Sequence, residues 1–233
     1  METVIIAVMV PLLVVVFGVA IWHFIRGSKI TDEYKGYLEE LCQSLGGRLL
    51  PRNPQGYSFE LDHESRVFRI SYTEGNLSNL KKARREWLRG HSNVLTVRTE
   101  VPEYTHPSRI GVRFDSGLNR MLGRSANSGD PFFDRQAYVV APALPNPESV
   151  IQSLVGNATI RQALIELSES NVDWVGLGPE RMSSGLENLT NLKPILSVRT
   201  ECPGQEGFDP DYVKRLVNLA ASIAEQVSNS KPS

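Results

Sequence analysis

An uncharged apolar segment at the N-terminus constrains this chain more than any other feature of its sequence. It runs from Thr3 to Ile25, reads TVIIAVMVPLLVVVFGVAIWHFI and ends at Arg26. At about 1.5 Å of rise per residue, a helix of this length extends about 34 Å, enough to cross a hydrocarbon core of roughly 30 Å. The sequence therefore predicts an N-terminal transmembrane anchor with a short linker, residues 1–30, and no later run is comparably long.

A cleavable secretory signal is the alternative explanation of this segment. Signal peptides begin with basic residues, carry an apolar stretch of about 7 to 15 residues and end in small residues at the cleavage site. Here the only early charged side chain is Glu2, the apolar stretch is longer, and it ends in Trp22-His23-Phe24-Ile25. These features favour an uncleaved anchor, with Trp22, Arg26 and Lys29 at the membrane interface.

The charges beside the segment predict its orientation. Arg26, Lys29 and Lys35 follow it closely, whereas the N-terminal side carries only the free amine and one acid. Because basic residues near a span resist translocation, we expect a single-pass protein whose large domain faces the cytoplasm. Cys42 and Cys202 do not decide the compartment, since they allow either one disulfide or two free thiols.

The rest of the chain predicts one soluble α+β domain, residues 31–228, and a polar tail, residues 229–233. A helical pattern begins at the N-cap candidate Thr31 and stops at Gly46 and Gly47. Alternating apolar residues then predict mainly antiparallel strands, and a Gly, Ser and Asn-rich segment near 119–131 predicts a flexible loop. The expected strands are 57–61, 67–72, 94–101, 110–114, 137–141, 172–177 and 195–200, and the later helices are 147–155, 158–167 and 210–227.

Two segments of the chain echo each other. Residues 95–102 read LTVRTEVP and residues 196–203 read LSVRTECP, which predicts two equivalent strands in a pseudo-symmetric sheet. If these strands were neighbours, Glu100 and Glu201 could face one another as a carboxylate pair. Alternation along a strand also places arginine and glutamate in solvent without any function, so the pair remains a hypothesis.

A basic segment is the best candidate for a binding surface in the sequence. Beside an anionic membrane it would gain about 1 kcal/mol per basic residue, with its tryptophan at the interface. A solvated helix face whose tryptophan packs into the core is the alternative, because runs of charge are usually solvent-facing. The candidate residues are Lys81, Lys82, Arg84, Arg85, Trp87 and Arg89.

Catalytic, metal-binding and phosphate-cradling motifs are absent from the sequence, so it predicts no catalytic residues, no metal site and no cofactor. The 25 basic and 26 acidic residues give a net charge of -1, which argues against a nucleic-acid partner. We therefore expect a membrane-anchored binding or scaffold domain that meets an anionic lipid or a protein partner near the bilayer. The alternative is a hydrolase-like enzyme with an unrecognised acidic site, for which the candidate acids are Asp130, Asp134, Glu100 and Glu201.

The segment DPFFDRQAYVV, residues 130–140, carries a resemblance to known proteins. Together with the leucine-bearing helix TIRQALIEL that follows, it resembles a pattern in uncharacterised bacterial single-span membrane proteins with an α+β domain of unknown function. The likeness covers about residues 130–178. It implies a bacterial envelope protein with an N-terminal anchor, and it implies no activity.

Overall fold

A computed structural model describes the chain at residues 35–51, 56–74, 93–114, 125–126, 128–140, 151–152, 154–180, 192–201 and 209–229. The chain divides into two compact units, Met1–Glu40 and Leu41–Ser233. The predicted span at residues 3–25 and its linker lie outside the described residues. Among the helices in the described ranges, none combines the length and the hydropathy that crossing a membrane requires.

The described strands join in one nine-stranded sheet in the order β1-β2-β3-β4-β9-β8-β5-β7-β6, and every pairing is antiparallel. The strands are β1 (Arg48–Leu49), β2 (Gly56–His63), β3 (Arg66–Glu74), β4 (Asn93–Glu100), β5 (Ile110–Arg113), β6 (Ser125–Ala126), β7 (Tyr138–Val140), β8 (Trp174–Glu180) and β9 (Lys193–Glu201). The helices are α1 (35–45), α2 (Phe133–Gln136), α3 (Ala158–Glu169) and α4 (Pro210–Asn229). Residues 151–152 and 154–155 are also helical.

The predicted α+β class with antiparallel strands is confirmed for this part of the chain, and several boundaries move. Strand β8 continues past its predicted end at Leu177 to Glu180, and α4 includes Asn229, which was assigned to the tail. Ser125–Ala126 form a short strand inside the segment predicted as a flexible loop, because they pair with Val139 and Val140 of β7. Backbone pairing at a sheet edge can order a segment whose composition alone indicates a loop.

One face of the sheet forms the hydrophobic core. Alternation along each strand sends every second side chain to this face, where the apolar side chains are almost completely buried. Helix α4 covers the centre of the face, since it contacts β4 and β9 and its Tyr212 hydroxyl lies 3.4 Å from Thr200 Oγ1. The central core side chains from the sheet are Phe59, Phe68, Ile70, Leu95, Val97, Ile110, Val112, Val139, Val175, Leu177, Leu196 and Val198.

Helices α3 and α4 pack against each other beside this core. Asn157 caps α3 as its sequence position predicts, because its side chain accepts a hydrogen bond from the Thr159 N–H at 2.8 Å. The same side chain donates to Gln226 Oε1 on α4 at 3.1 Å, and the Tyr212 hydroxyl donates to the Ser170 carbonyl at 2.8 Å. These contacts fix the helix pair at both ends of α3.

The sequence echo is confirmed as two neighbouring strands related by a local two-fold axis. Val97 of β4 lies directly opposite Val198 of β9, and these two residues occupy equivalent positions in the echo. The axis therefore passes between them, and each cross-strand pair on one side has a counterpart on the other. The pair Arg98↔Ser197 corresponds to the pair Thr96↔Arg199. The pair Leu95↔Thr200 corresponds to the pair Thr99↔Leu196.

The antiparallel register shows that the hypothesis of a carboxylate pair was wrong. Glu100 lies opposite Ile195, and Glu201 lies opposite Val94, so the two glutamates are at opposite ends of the strand pair. At about 3.3 Å per residue, their backbones are separated by roughly 20 Å. When two equivalent strands pair in antiparallel fashion, equivalent residues at their centres lie opposite each other, whereas equivalent residues at their ends lie far apart.

Candidate functional site

The second face of the sheet is polar and carries most of the arginines of the described strands. One row of cross-strand neighbours runs Arg48, Glu60, Arg69, Arg98, Ser197, Gly176 and Gly111 from β1 to β5. The adjacent row runs Ser58, Ser71, Thr96, Arg199, Trp174, Arg113 and Tyr138 from β2 to β7. We call this surface the arginine face and define it by Arg48, Arg69, Arg98, Arg109, Arg113 and Arg199.

Two arginines face each other directly across β3 and β4. Arg69 and Arg98 are cross-strand partners, and side chains in that relation have Cβ atoms about 5 Å apart, where like charges destabilise a sheet. Glu60 offsets part of this repulsion by accepting hydrogen bonds from both Arg69 and Arg48. The hydrogen bond from Arg69, and to a smaller extent that from Arg48, holds the pKa of the Glu60 carboxyl below its ordinary value. Burial acts in the opposite direction and raises this pKa.

A second carboxylate, that of Glu180, neutralises only part of the positive charge of Arg98 and Arg109. Its Oε2 accepts from Arg109 Nη2 at 2.8 Å and from the Ser197 hydroxyl, whereas Arg98 Nη2 is 3.6 Å from its Oε1. Arg98 also donates to the Ser71 hydroxyl at the long distance of 3.4 Å. Its Nε is buried and has no hydrogen-bond acceptor among the described residues. Arg98 is therefore a largely buried cation with only long contacts to its neighbours.

Trp174 lies flat on the sheet because two glycines leave room for its ring. A Cβ added at Gly176 would overlap the indole, and one added at Gly111 would lie 2.6 Å from the indole Nε1. Arg109 covers the opposite side of the ring, with its guanidinium carbon 4.3 Å from a ring centroid. Burial lowers the pKa of Arg109, Glu180 raises it, and the positive charge of Arg98 lowers it further.

The arginine face has the charge and exposure of a surface that binds anions. Arg113 and Arg199 are exposed, and the side chains of Arg98 and Arg109 keep 26% and 36% of their accessible surface. Basic side chains outnumber acidic ones among the described residues of this face, although the chain as a whole has a net charge of -1. Excess positive charge is therefore concentrated on one side of the sheet.

The residues that the sequence singled out for membrane contact lie outside the described residues. They comprise the interface candidates Trp22, Arg26 and Lys29 and the basic-segment candidates Lys81, Lys82, Arg84, Arg85, Trp87 and Arg89. Both sets therefore remain predictions. Cys202 is also outside the described ranges, and the Cys42 thiol is free and buried, which raises its pKa.

The acids proposed for a hydrolytic site have structural contacts where they are described. Asp130 accepts from the N–H groups of Phe132 and Phe133 at the start of α2, which lowers the pKa of its carboxyl, and it pairs with Arg161 at 3.1 Å. Asp134 accepts from the Ser128 N–H at 3.0 Å. Glu100 pairs with a lysine of β9, at a distance of 2.6 Å. In the described ranges, no group of three or more His, Cys, Asp and Glu residues could hold a metal ion.

Sequence reasoning missed the arginine face, although part of its signal was visible. Arg98 and Arg199 are equivalent members of the echo, and each stands between apolar or hydroxyl-bearing residues in a strand pattern. Such a pattern places an arginine on the polar side of a strand but does not state which strands are neighbours. The juxtaposition of Arg69 and Arg98 could be read only from the register.

The fold and this face define an α+β domain with an antiparallel sheet, one face of which is rich in arginine. No protein-family model matches the chain, and no curated protein matches it. Function is therefore inferred from the residues of the arginine face and from the sequence, since a fold class alone does not determine activity.

Replacing Glu60 by glutamine should destabilise the domain near neutral pH and much less in acid. The pKa of Glu60 is lower in the folded state than in the unfolded state, where it is near 4.3. Its carboxylate therefore stabilises the folded domain fully above the unfolded-state pKa, and this stabilisation is lost as pH falls through the folded-state pKa. We expect Glu60→Gln to lower the free energy of unfolding by about 1 to 3 kcal/mol at roughly pH 7. Urea denaturation of the full chain in non-ionic detergent at about pH 7, 5 and 3.5 measures this.

The exposed Glu169 on α3 provides the matched control. Glu169→Gln should change the free energy of unfolding by less than about 0.5 kcal/mol. An equal loss in Glu60→Gln at neutral and acid pH would contradict the proposed role of the carboxylate.

Gly176→Ala should displace Trp174 from the sheet. The added methyl group overlaps the indole ring, so the ring must move and leave Arg109, at a cost of about 1 to 3 kcal/mol in the free energy of unfolding. Urea denaturation measures the cost, and fluorescence quenching with Trp22 and Trp87 replaced by phenylalanine measures the exposure of Trp174. Gly36→Ala in α1 is the control, because its methyl group meets nothing within 4 Å. Unchanged stability and quenching in Gly176→Ala would contradict this packing.

Proposed function

We propose that this chain is a single-pass membrane protein whose α+β domain binds an anionic partner at the cytoplasmic face of the membrane and catalyses no reaction. The observation that carries the proposal is the arginine face, where basic side chains exceed the carboxylates available to neutralise them. Arginine is well suited to such a surface, because its planar guanidinium presents several N–H donors to oxyanions and stays charged.

The membrane anchor rests on the sequence of residues 3–25. Its length, its lack of charge and the basic residues that follow it support a single span with the domain in the cytoplasm. Only residues 26–30 separate the apolar segment from the predicted start of the domain, which allows a reach of no more than about 17 Å. The resemblance of residues 130–178 to bacterial single-span proteins agrees with this assignment.

Binding is favoured over hydrolysis because the described candidate acids make structural contacts. Asp130 orders the start of α2, Asp134 holds the preceding turn, and Glu100 pairs with Lys193. A carboxylate that acts as a general base must instead be free to reach the proton of a substrate or water. An anionic lipid or an acidic segment of a protein could occupy the arginine face.

Membrane insertion can be tested by adding charge to the apolar segment. Val15→Arg with Val16→Arg should release the full chain from membranes at alkaline pH, because an arginine at the centre of a span costs about 2.5 to 3.5 kcal/mol. The parent chain should stay in the membrane pellet, as should a control with Ser228→Arg and Asn229→Arg.

A reporter fused after Ser233 should be active in the cytoplasm. Extraction of the parent chain, or activity only of an exported reporter, would contradict the proposal.

The binding surface can be mapped with a photo-crosslinking residue on either side of the domain. Placed at Arg113, which is exposed on the arginine face, it should yield a discrete crosslinked species in native membranes. Placed at the exposed Lys214 of α4, outside this face, it should yield none. Crosslinking of equal strength from both positions, or from neither, would contradict binding through the arginine face.

A further inference from the structure

We infer that the centre of the arginine face is a phosphate-binding site in which Arg98 and Arg199 are the principal ligands. The inference rests on the proposed function and specifies the chemistry of the anion. A phosphate group could belong to a lipid headgroup or to a soluble compound, and both present the same oxygens. A binding surface for an acidic protein segment is the competing explanation.

Arg98 has no close hydrogen-bond acceptor among the described residues. Its nearest carboxylate oxygen is 3.6 Å away, on Glu180, and that carboxylate already accepts from Arg109 and Ser197. Its hydrogen bond to Ser71 is long, at 3.4 Å, and its Nε has no acceptor among the described residues. A guanidinium has five N–H donors, so an incoming oxyanion would meet donors that the protein itself does not use fully.

The two-fold axis brings a second arginine beside the first. Arg98 lies opposite Ser197, and Arg199 is two residues further along β9, so the two arginines are diagonal neighbours on the same face. Diagonal neighbours have Cα atoms about 7 to 8 Å apart, within the span that two long side chains can close around one anion. Arg69, directly across from Arg98, adds positive charge on the other side.

Short hydroxyl side chains lie between these arginines. Ser71, Thr96 and Ser197 are buried at the base of the two rows, and they are much shorter than the arginines around them. The longer side chains around them cover these hydroxyls, so the anion would bind outside them, between the guanidinium groups of Arg98 and Arg199. Ser197 donates its hydroxyl proton to Glu180 and Ser71 donates to the Thr96 carbonyl at 3.5 Å, so these hydroxyls form the base of the site and the arginines supply the donors for the anion.

Phosphate fits this arrangement better than a carboxylate does. Two carboxylates of the face, Glu60 and Glu180, are held by Arg69 and Arg109, and Arg98 still has only long contacts. A phosphate dianion carries more charge and more acceptor oxygens than a carboxylate. Two guanidinium groups can therefore each donate hydrogen bonds to different oxygens of the same phosphate. We therefore assign the site to a phosphate monoester or inorganic phosphate.

The test measures binding of phosphate to the full chain in a non-ionic maltoside detergent, which carries no phosphate. Inorganic phosphate and a short-chain phosphatidic acid are titrated by calorimetry at constant ionic strength set with chloride. Saturable binding that weakens at least about tenfold in Arg98→Gln and in Arg199→Gln is expected, since each variant removes a charge-assisted hydrogen bond. Arg215→Gln, which changes an exposed arginine of α4, should leave the affinity unchanged.

Each outcome bears on the assignment. Equal affinity for both probes supports a site for phosphate itself, and tighter binding of the phosphatidic acid supports a lipid headgroup as its source. Absence of saturable binding, an equal loss in Arg215→Gln, or tighter Arg98-dependent binding of poly-glutamate would overturn it. Because Arg199 is exposed, its variant should fold even if Arg98→Gln does not. Crosslinking from Arg113 without phosphate binding would reject this inference and leave the proposed function standing.

Discussion

The antiparallel pairing of β4 with β9 is the interaction on which the rest of this structure depends. Val97 and Val198 meet at its centre, and β3 and β8 pair with its outer edges. The pair joins strands that are distant in sequence, so its formation carries a cost in chain entropy that burial must offset. Helix α4 supplies that burial, because its apolar side packs over both strands.

The same pairing couples the core to the arginine face. Successive side chains of a strand point to opposite sides of the sheet, so the register that buries Val97 against Val198 also sets Arg98 and Arg199 beside each other. It sets Arg69 against Arg98 as well, which works against stability. Glu60 offsets part of this repulsion through its ion pair with Arg69, while Arg98 keeps only long contacts.

Local sequence patterns predicted most of the individual elements but not the site. The alternation in β2 and β3, the Asn157 cap and the long α4 follow from residue spacing and side-chain chemistry within a few residues. The Ser125–Ala126 strand was missed because it exists only through its partner, β7. The carboxylate pair failed for a related reason, since proximity of Glu100 and Glu201 depended on strand direction, which the echo does not encode.

The sequence by itself determined the apolar segment at 3–25, the α+β class, and the repeat that became β4 and β9. These properties come from periodicity and composition, which are local and can be read along the chain. Only the tertiary structure decided that the two strands pair with each other, and that Arg98 lacks a close acceptor among the described residues. Those properties depend on register and on the distances between residues far apart in sequence, because a shift by one residue would send each arginine to the opposite face.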